Sequence, residues 1–137
     1  MNKSMKKVMV FGTFDLLHKG HLYFLKEAKK QGSYLIVVVA RDTNVEKIKK
    51  KQPVHTELER KHNLEKTKIA DKVILGEKEL SFDCIINEKP DVICFGYDQH
   101  SQFVEKSFPK IKYVRLDAYK PHVYKTSKLS KTSKIMK

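Results

Sequence analysis

Cysteine is scarce in this sequence, and long apolar runs are missing from it. The two cysteines, Cys84 and Cys94, sit in apolar stretches without metal-ligand spacing. We therefore expect buried free thiols in a reducing compartment rather than a disulfide or a zinc site. No run is apolar for long enough to span a bilayer, and the apolar run after Lys7 stops at Gly12, which argues against a secretory signal. These absences predict a cytoplasmic protein that does not enter the membrane.

Acidic residues are also few. The chain has 16 Asp and Glu against 29 Lys and Arg, which gives a net charge of +13. Such a balance favours polyanionic partners, either nucleic acid or a small ligand such as a nucleoside triphosphate. The lysines cluster in residues 47–51 and in residues 118–137, and the second segment holds six lysines and no acid. Because aromatic residues do not alternate with these lysines as a base-stacking surface requires, we expect the small ligand and not nucleic acid.

Short apolar runs alternate with amphipathic stretches along the chain. The runs predict strands at residues 8–11, 35–40, 72–75, 91–95 and 113–116. The amphipathic stretches predict helices at residues 20–31, 56–67, 81–88 and 99–108, with a last helix capped by Thr126 or Ser127. This alternation is typical of the α/β class. We predict a single domain over residues 1–137, a Rossmann-like doubly wound parallel sheet of about five strands with helices on both faces.

The segment after the first predicted strand carries the strongest functional signal. Gly12 follows the strand directly, where backbone without a side chain approaches a phosphate closely. His18 and His21 flank the predicted start of the next helix, whose free N–H groups attract an anion. Two histidines at this spacing are, by themselves, more often surface residues or metal ligands, but the other histidines form no set with them. We therefore predict an anion site and no metal site.

Residues 12–21, which read GTFDLLHKGH, resemble the signature of the cytidylyltransferase-like nucleotidyltransferase superfamily. The resemblance covers nearly the whole chain. Within the superfamily, the chain is similar to the archaeal-type FAD synthases, which are FMN adenylyltransferases, and to the glycerol-3-phosphate cytidylyltransferases. The resemblance implies in-line attack on the α-phosphate of a nucleoside triphosphate with pyrophosphate leaving, a reaction that needs positioning and charge neutralisation more than covalent chemistry.

Carried over by position, the resemblance assigns roles within this segment. It implies that His18 and His21 stabilise the transferring α-phosphate. The nucleotide-binding candidates here are Gly12, Thr13, Phe14, Asp15 and Gly20. Backbone at Thr13 and Phe14 would contact phosphate, and Gly20 would let a base or ribose lie against the backbone. Asp15 would either assist a metal ion or orient the loop.

Two basic features further along are catalytic candidates by the same resemblance. Lys49 and Lys51 match a basic loop that precedes a helix and contacts the triphosphate or the acceptor's phosphate. Without the resemblance, this run reads as a solvated loop. Arg60 matches an arginine that a helix presents towards the active site, and its alternative is an ion pair with a neighbouring glutamate.

Further nucleotide-binding candidates follow the second and fourth predicted strands. Arg41 and the adjoining Asp42 are similar to the same position in the FAD synthases, although Asp42 alone reads equally well as a helix cap. Gly96, Asp98 and Gln99 follow the fourth strand, at the position where the family that the chain resembles recognises the nucleotide. Asp98 would accept hydrogen bonds from ribose or base, and its alternative role, compatible with the first, is in a turn with a helix N-cap.

The basic C-terminal segment holds a Ser/Thr-rich string similar to a family motif. Thr126, Ser127 and Lys128 lie in the better match, and would hold the β- and γ-phosphates at a helix start. Residues 130–135 match nearly as well, but they leave almost no chain for the helix. The alternative is an exposed basic tail.

Three functions compete at this point. The first is an FMN adenylyltransferase that makes FAD from FMN and ATP, although the cysteine-rich tail of some archaeal FAD synthases is absent. The second is a cytidylyl- or adenylyltransferase for glycerol 3-phosphate or another polyol or sugar phosphate. The third is a non-catalytic nucleotide- or RNA-binding protein. For the enzyme we expect ATP or CTP and a phosphorylated small molecule as substrates, Mg²⁺ brought with the nucleotide, and a homodimer.

Overall fold

The computed structural model describes residues 5–77 and 82–118. This part of the chain forms the strands β1 (Lys7–Gly12), β2 (Tyr34–Val39), β3 (Lys72–Leu75), β4 (Val92–Phe95) and β5 (Lys112–Arg115). It also forms the helices α1 (Lys19–Lys29), α2 (Asp42–Lys49), α3 (Glu57–Thr67), α4 (Asp83–Glu88) and α5 (Gln102–Ser107). The last predicted helix, with Thr126, Ser127 and Lys128, lies outside the described residues.

The strands form one parallel sheet in the order β3-β2-β1-β4-β5. The central strand, β1, runs beside β2 with Lys7 opposite Tyr34, and beside β4 with Val8 opposite Val92. The chain therefore builds one half of the sheet outward from β1 and then returns to build the other half. The predicted α/β fold with five parallel strands is confirmed, and its switch point lies between β1 and β4.

Alternate residues of β1 point to opposite faces of the sheet, and both faces are covered. On one face, Val8 and Val10 pack with Leu25 of α1 and Leu64 of α3. On the other face, Met9 packs in a cluster with residues of β2, β4 and α4. Each fully buried aliphatic side chain contributes about 1.5–3 kcal/mol to folding. This covering explains why β1 and β2 read as continuous apolar runs rather than alternating ones.

The two cysteines are buried free thiols, as predicted. Cys94 belongs to the core cluster on the α1 face and Cys84 to the cluster on the opposite face. Burial raises the pKa of the Cys94 thiol to about 11, and the same cause raises the pKa of Cys84. Both thiols are therefore unreactive near neutral pH. Within the described residues, no helix combines the length and the apolar character that crossing a membrane requires.

The capping box predicted for the polar helix is present. The Thr56 hydroxyl accepts a hydrogen bond from the Glu59 N–H at 3.1 Å, and the Glu59 carboxylate accepts one from the Thr56 N–H at 2.8 Å. The helix that follows, α3, matches the predicted range of residues 56–67 within one residue. This signal is entirely local, because the box and the helix it starts are adjacent in sequence.

The first lysine run lies only partly in the predicted loop, because its beginning belongs to a helix. Lys49 ends the helix α2, Lys50 follows it with a left-handed backbone, and Lys51 lies just beyond. Within α2 only Val45 is buried, so the apolar periodicity that marks a helix is missing. Asp42 in the first turn and lysines in the last turn favour the helix through its dipole.

Candidate active site

The site lies where three strands end at the carboxyl edge of the sheet. The loop after β1 leads into α1, the loop after β2 leads into α2, and the loop after β4 leads towards α5. Since β1, β2 and β4 are neighbours in the sheet, their loops meet. This arrangement brings together the regions of the predicted residues between Gly12 and Gln99.

His18 and His21 form a reciprocal cap at the start of α1. The Nδ1 atom of His18 accepts a hydrogen bond from the Gly20 N–H at 3.0 Å. The His18 N–H donates to Nδ1 of His21 at 3.3 Å. The two imidazoles are stacked, with ring centroids 3.9 Å apart and planes 26° apart. The same pair thus starts the helix and holds its own two rings together.

This cap fixes where each imidazole carries its proton. Because Nδ1 of each ring accepts a hydrogen bond, a neutral ring carries its hydrogen on Nε2. His18 therefore offers an Nε2–H donor beside the N-terminus of α1, whose first turn contains no acidic residue, whereas the ring of His21 also has a hydrogen bond with the Leu16 backbone. The positive end of the helix dipole adds to this attraction for an anion. The arrangement suits an anion such as a phosphoryl group.

His21 has a pKa below the usual value for a histidine. Burial is the main cause, and the nearby charges of His18 and Lys49 act in the same direction, while a hydrogen bond with the Leu16 backbone opposes them. A bound anion would reverse part of this effect, since opposite charge favours the protonated imidazole. The electrostatic environment of His21 therefore favours the binding of a polyanion at this site.

Lys49 lies within electrostatic reach of His21, although it belongs to α2. Its side chain is exposed, as are those of Lys47, Lys50 and Lys51. The structure thus places the basic C-terminal end of α2 at the edge of the anion site. The predicted contacts of Lys49 and Lys51 with phosphate stay predictions.

Gly20 is required by the cap itself. A Cβ atom at this position would lie 2.9 Å from Cε1 and 3.1 Å from Nδ1 of the His18 ring. A side chain at position 20 would therefore displace the imidazole that starts the helix. The contact of Gly20 with a base or ribose stays a prediction.

Asp15 clamps the loop after β1 to the segment before α3. Its carboxylate accepts hydrogen bonds from the Val54 N–H at 2.7 Å and from the His55 N–H at 2.9 Å. Partial burial acts to raise the pKa of the Asp15 carboxyl, but these two backbone hydrogen bonds and the nearby His55 and Arg60 outweigh it, so the pKa is lowered. Both carboxylate oxygens are thus occupied in orienting the loop.

Arg60 lies behind this loop and not in the cleft. Its side chain is fully buried, and it donates to the carbonyl of Thr13 at 2.9 Å, to the carbonyl of His55 at 3.1 Å and to the carboxylate of Asp42. The expectation that Arg60 reaches into the active site as a catalytic group does not fit this burial. The alternative of a neighbouring glutamate partner is also wrong, because the carboxylate belongs to Asp42. Arg60 is a positioning residue in this geometry.

Arg41 and Asp42 belong to a network that ties α2 to α3. Arg41 donates to the Gly76 carbonyl at 2.9 Å and to the Glu57 carboxylate at 3.1 Å. The Asp42 N–H donates to Glu57 at 2.8 Å, and the Glu57 N–H donates to Asp42 at 3.2 Å. Asp42 is not a helix cap, since Arg41 holds the capping position of α2. No local sequence pattern indicated the role of Glu57, because its partner Asp42 lies 15 positions away.

The loop after β4 is held by Gln99 and Arg115. Gln99 accepts from the Gly96 N–H at 2.8 Å and donates to the Phe11 carbonyl at 2.9 Å. Arg115 donates to the carbonyls of Gly96 and Gln99 at 2.7 Å each and to the Ser101 hydroxyl at 2.9 Å. Arg115 was missed in the sequence because it lies in the last predicted strand. The side chain of Gln99 thus supports the loop from inside.

An open depression of about 320 Å³ lies over this loop, lined by residues 97–102 and Arg115. Asp98 lines it with an exposed side chain. Helix α5 begins at Gln102 after Ser101, so the alternative role of Asp98 as a helix cap is wrong. Its hydrogen bonds to ribose or base stay a prediction.

The chain matches the family described as Cytidylyltransferase-like over residues 9–135. It is similar to the FAD synthase of Thermococcus sibiricus, at 38% identity over 94% of this chain and 93% of that protein. It is also similar to the FAD synthase of Aciduliprofundum boonei, at 42% identity over 84% of this chain and 80% of that protein. A third relative, the FAD synthase of Ferroglobus placidus, is 51% identical over 70% of this chain, but the match spans only 62% of that protein.

A solved structure supports the same relationship. The lipopolysaccharide core biosynthesis protein from Thermoplasma volcanium superposes with a TM-score of 0.79 at 37% identity, over 85% of this chain and 100% of that one. The match along residues 9–135 spans most of the chain, and relatives well above 30% identity cover most of its length. The chain therefore belongs to the cytidylyltransferase-like family and is a nucleotidyltransferase.

Proposed function

We propose that this chain is an FMN adenylyltransferase, which makes FAD from FMN and ATP. The observation that carries the chemistry is the stacked His18 and His21 pair at the N-terminus of α1, where two imidazoles lie at the positive end of the helix dipole. The relatives named FAD synthase, at 38–51% identity, support FMN as the acceptor. They favour the first of the three functions considered from the sequence.

In the reaction, a phosphate oxygen of FMN attacks the α-phosphorus of ATP. A new P–O bond forms, the bond from the α-phosphorus to the bridging oxygen breaks, and pyrophosphate leaves. Charge builds on the non-bridging oxygens of the α-phosphate in the transition state. Nε2–H groups of His18 and His21 donate to those oxygens, and Lys49 at the edge of the site offsets the charge of the polyphosphate or of the acceptor. Such preorganised donors each contribute roughly 10²-fold to turnover.

A divalent cation is expected because the family's substrates are nucleoside triphosphates. Within residues 5–77 and 82–118, no group of three or more His, Cys, Asp or Glu side chains is placed to hold a metal ion. The Asp15 carboxylate, the acid of the signature, already accepts two backbone hydrogen bonds. These residues do not form a metal cage, so we propose that Mg²⁺ binds through the phosphates of the nucleotide. Activity should then depend on added Mg²⁺ and be lost with a chelator.

The second candidate acceptor is a sugar or polyol phosphate. It is favoured by the likeness to the Thermoplasma volcanium lipopolysaccharide core biosynthesis protein, which this chain matches over the full length of that structure. The two functions share the anion site and differ in the acceptor and the nucleotide.

The deciding experiment measures pyrophosphate release with ATP or CTP against FMN, glycerol 3-phosphate and sugar phosphates, with FAD identified by chromatography. Release from ATP and FMN with formation of FAD supports the proposal. Release from CTP but not from ATP overturns it. If no pair reacts, and the protein binds RNA tightly with a steep dependence on salt, the non-catalytic function replaces it. Light scattering on the same samples tests the expected homodimer.

A further inference from the structure

Phe14 has an unusual backbone conformation for its side chain. Its φ angle is 53°, in the left-handed region that bulky side chains disfavour. The described residues include three other non-glycine positions with positive φ, at Lys50, Lys68 and Lys89. Each of these three follows the end of a helix, where a left-handed residue is common. Phe14 ends no helix, so its conformation needs another reason.

The ring of Phe14 is buried and leaves no room for a side chain at Gly12. Phe14 is 5% exposed and belongs to the core cluster on the α1 face of the sheet. A Cβ atom at Gly12 would lie 2.6 Å from Cε2 and 2.7 Å from Cζ of the ring. These distances are well below van der Waals contact. Gly12 and Phe14 are therefore a matched pair, since the ring occupies the space that any other residue at position 12 would need.

The ring of Phe14 also contacts His21. The centroids lie 5.6 Å apart and the planes are 67° apart, an edge arrangement that aromatic rings favour. His21 in turn stacks on His18. The three rings thus run in series from the buried core to the exposed imidazole of His18, and His21 is the middle member.

We propose that Phe14 is a positioning residue that fixes the His21 imidazole for contact with the transferring phosphoryl group. The left-handed backbone of Phe14 and the missing side chain of Gly12 put the ring there. In this role the side chain of Phe14 acts through His21. The part of this inference that concerns turnover rests on the proposed nucleotidyl transfer, whereas the placement of His21 does not.

The electrostatics of His21 fit this role. Burial is the largest cause of its lowered pKa, ahead of the charges of His18 and Lys49. The Phe14 ring supplies apolar surface against the imidazole. Removal of the ring admits water, and the pKa of His21 then rises towards its ordinary value, because water stabilises the protonated form.

An NMR titration of His21 in the full chain tests the placement without any substrate. The variants are Phe14→Leu, which replaces the ring by a smaller apolar side chain, and Phe108→Leu as the matched control. Phe108 packs against Phe82 in the cluster on the opposite face. We expect Phe14→Leu to raise the pKa of His21 and Phe108→Leu to leave it unchanged. A folded Phe14→Leu protein with the wild-type titration of His21 would overturn the proposal.

The pairing of Gly12 with Phe14 is tested by a double-mutant cycle on turnover. Gly12→Ala pushes the ring away, so it should lower kcat between about 10-fold and 10²-fold with little change in the KM for ATP. In a Phe14→Leu background, the smaller side chain relieves the clash, and Gly12→Ala should cost much less. If Gly12→Ala lowers kcat equally in both backgrounds, the pairing of Gly12 with Phe14 is contradicted. The predicted close approach of the Gly12 backbone to a phosphate is then its remaining role. Circular dichroism confirms that each variant is folded before it is assayed.

The two arms separate this inference from the proposed function. If FMN is not the acceptor, the cycle is run with whichever pair releases pyrophosphate, and the titration is unaffected. If the FAD reaction is confirmed but Phe14→Leu leaves the pKa of His21 unchanged, the proposed function is supported and the positioning role of Phe14 is contradicted.

Discussion

The guanidinium of Arg60 donates a hydrogen bond to the carbonyl of Thr13 at 2.9 Å, although the two residues are 47 positions apart. The same side chain pairs with the Asp42 carboxylate and is fully buried. One charged group thus connects the loop after β1, the start of α2 and the interior of α3. Because a buried charge is tolerated only when it is fully paired, this contact makes the position of the loop depend on the α2–α3 network.

Replacement of Arg60 by Met should destabilise the protein strongly. The change removes the guanidinium that donates to the carbonyls of Thr13 and His55 and to the Asp42 carboxylate, and the loss of one partner of a buried pair costs about 3–5 kcal/mol. Because Asp42 is about one-third exposed, we expect the lower end of that range. Urea unfolding measures the loss.

The control for this change is Lys61→Met, one position along α3. Lys61 pairs with Glu65 at 2.8 Å on the protein surface, and such pairs contribute less than about 1 kcal/mol. If both substitutions lower the free energy of unfolding by the same amount, the buried network contributes no more to stability than a surface ion pair does. If Arg60→Met lowers turnover in the folded protein as well, the loop after β1 depends on Arg60 for its position.

The cap and the chemistry of His18 can be separated by His18→Asn. Asparagine is a good helix cap, so the thermal stability should stay near that of the wild type, whereas loss of the imidazole donor should lower kcat by roughly 10²-fold. His18→Ala should lose both the cap and the activity. Melting temperatures and pyrophosphate release measure the two effects.

His21→Ala should lower kcat to a similar extent, and His62→Ala serves as the control, because His62 is exposed on α3. Wild-type turnover in both His18→Asn and His21→Ala would remove the anion site from the mechanism. Loss of turnover in His62→Ala would show that the assay reports a general effect of removing histidine.

The local features of this fold could be read from the sequence, and the long-range ones could not. The strands follow from apolar runs and α3 follows from the Thr56 and Glu59 box, whereas the anion site at His18 and His21 stays a prediction. Helix α2 was missed because only Val45 is buried in it. The role of Arg60 was misread because its partners, Thr13 and Asp42, lie 47 and 18 positions away. No local pattern encodes such pairings, since only the folded sheet brings those segments together.

Lys49→Met should raise the pKa of His21. The Lys49 charge is among the causes that lower this pKa, so its removal makes the protonated imidazole easier to form. We also expect a weaker affinity for ATP, measured by calorimetry at low salt, with a difference that shrinks as salt screens the charge. Lys106→Met is the control, because Lys106 lies on α5, whose Val104 packs against the core cluster on the face opposite α1. An unchanged His21 titration in Lys49→Met would contradict the proximity of Lys49 to this ring.

Asp15→Asn should destabilise the protein near neutral pH and lose this effect in acid. The pKa of Asp15 is lowered in the folded state, so its ionised carboxylate contributes stability above the ordinary pKa of an aspartate, and this contribution disappears as the pH falls through the lowered value. The stabilities of the wild type and of Asp15→Asn should therefore begin to converge below about pH 4 and meet once the pH has fallen through the lowered pKa of Asp15. Asp98→Asn, an exposed position, is the control and should follow the wild type at every pH. Urea unfolding of the three proteins from pH 7 downward measures the differences, and a constant gap between Asp15→Asn and the wild type would show that the carboxylate charge plays no part in holding the Val54 and His55 backbone.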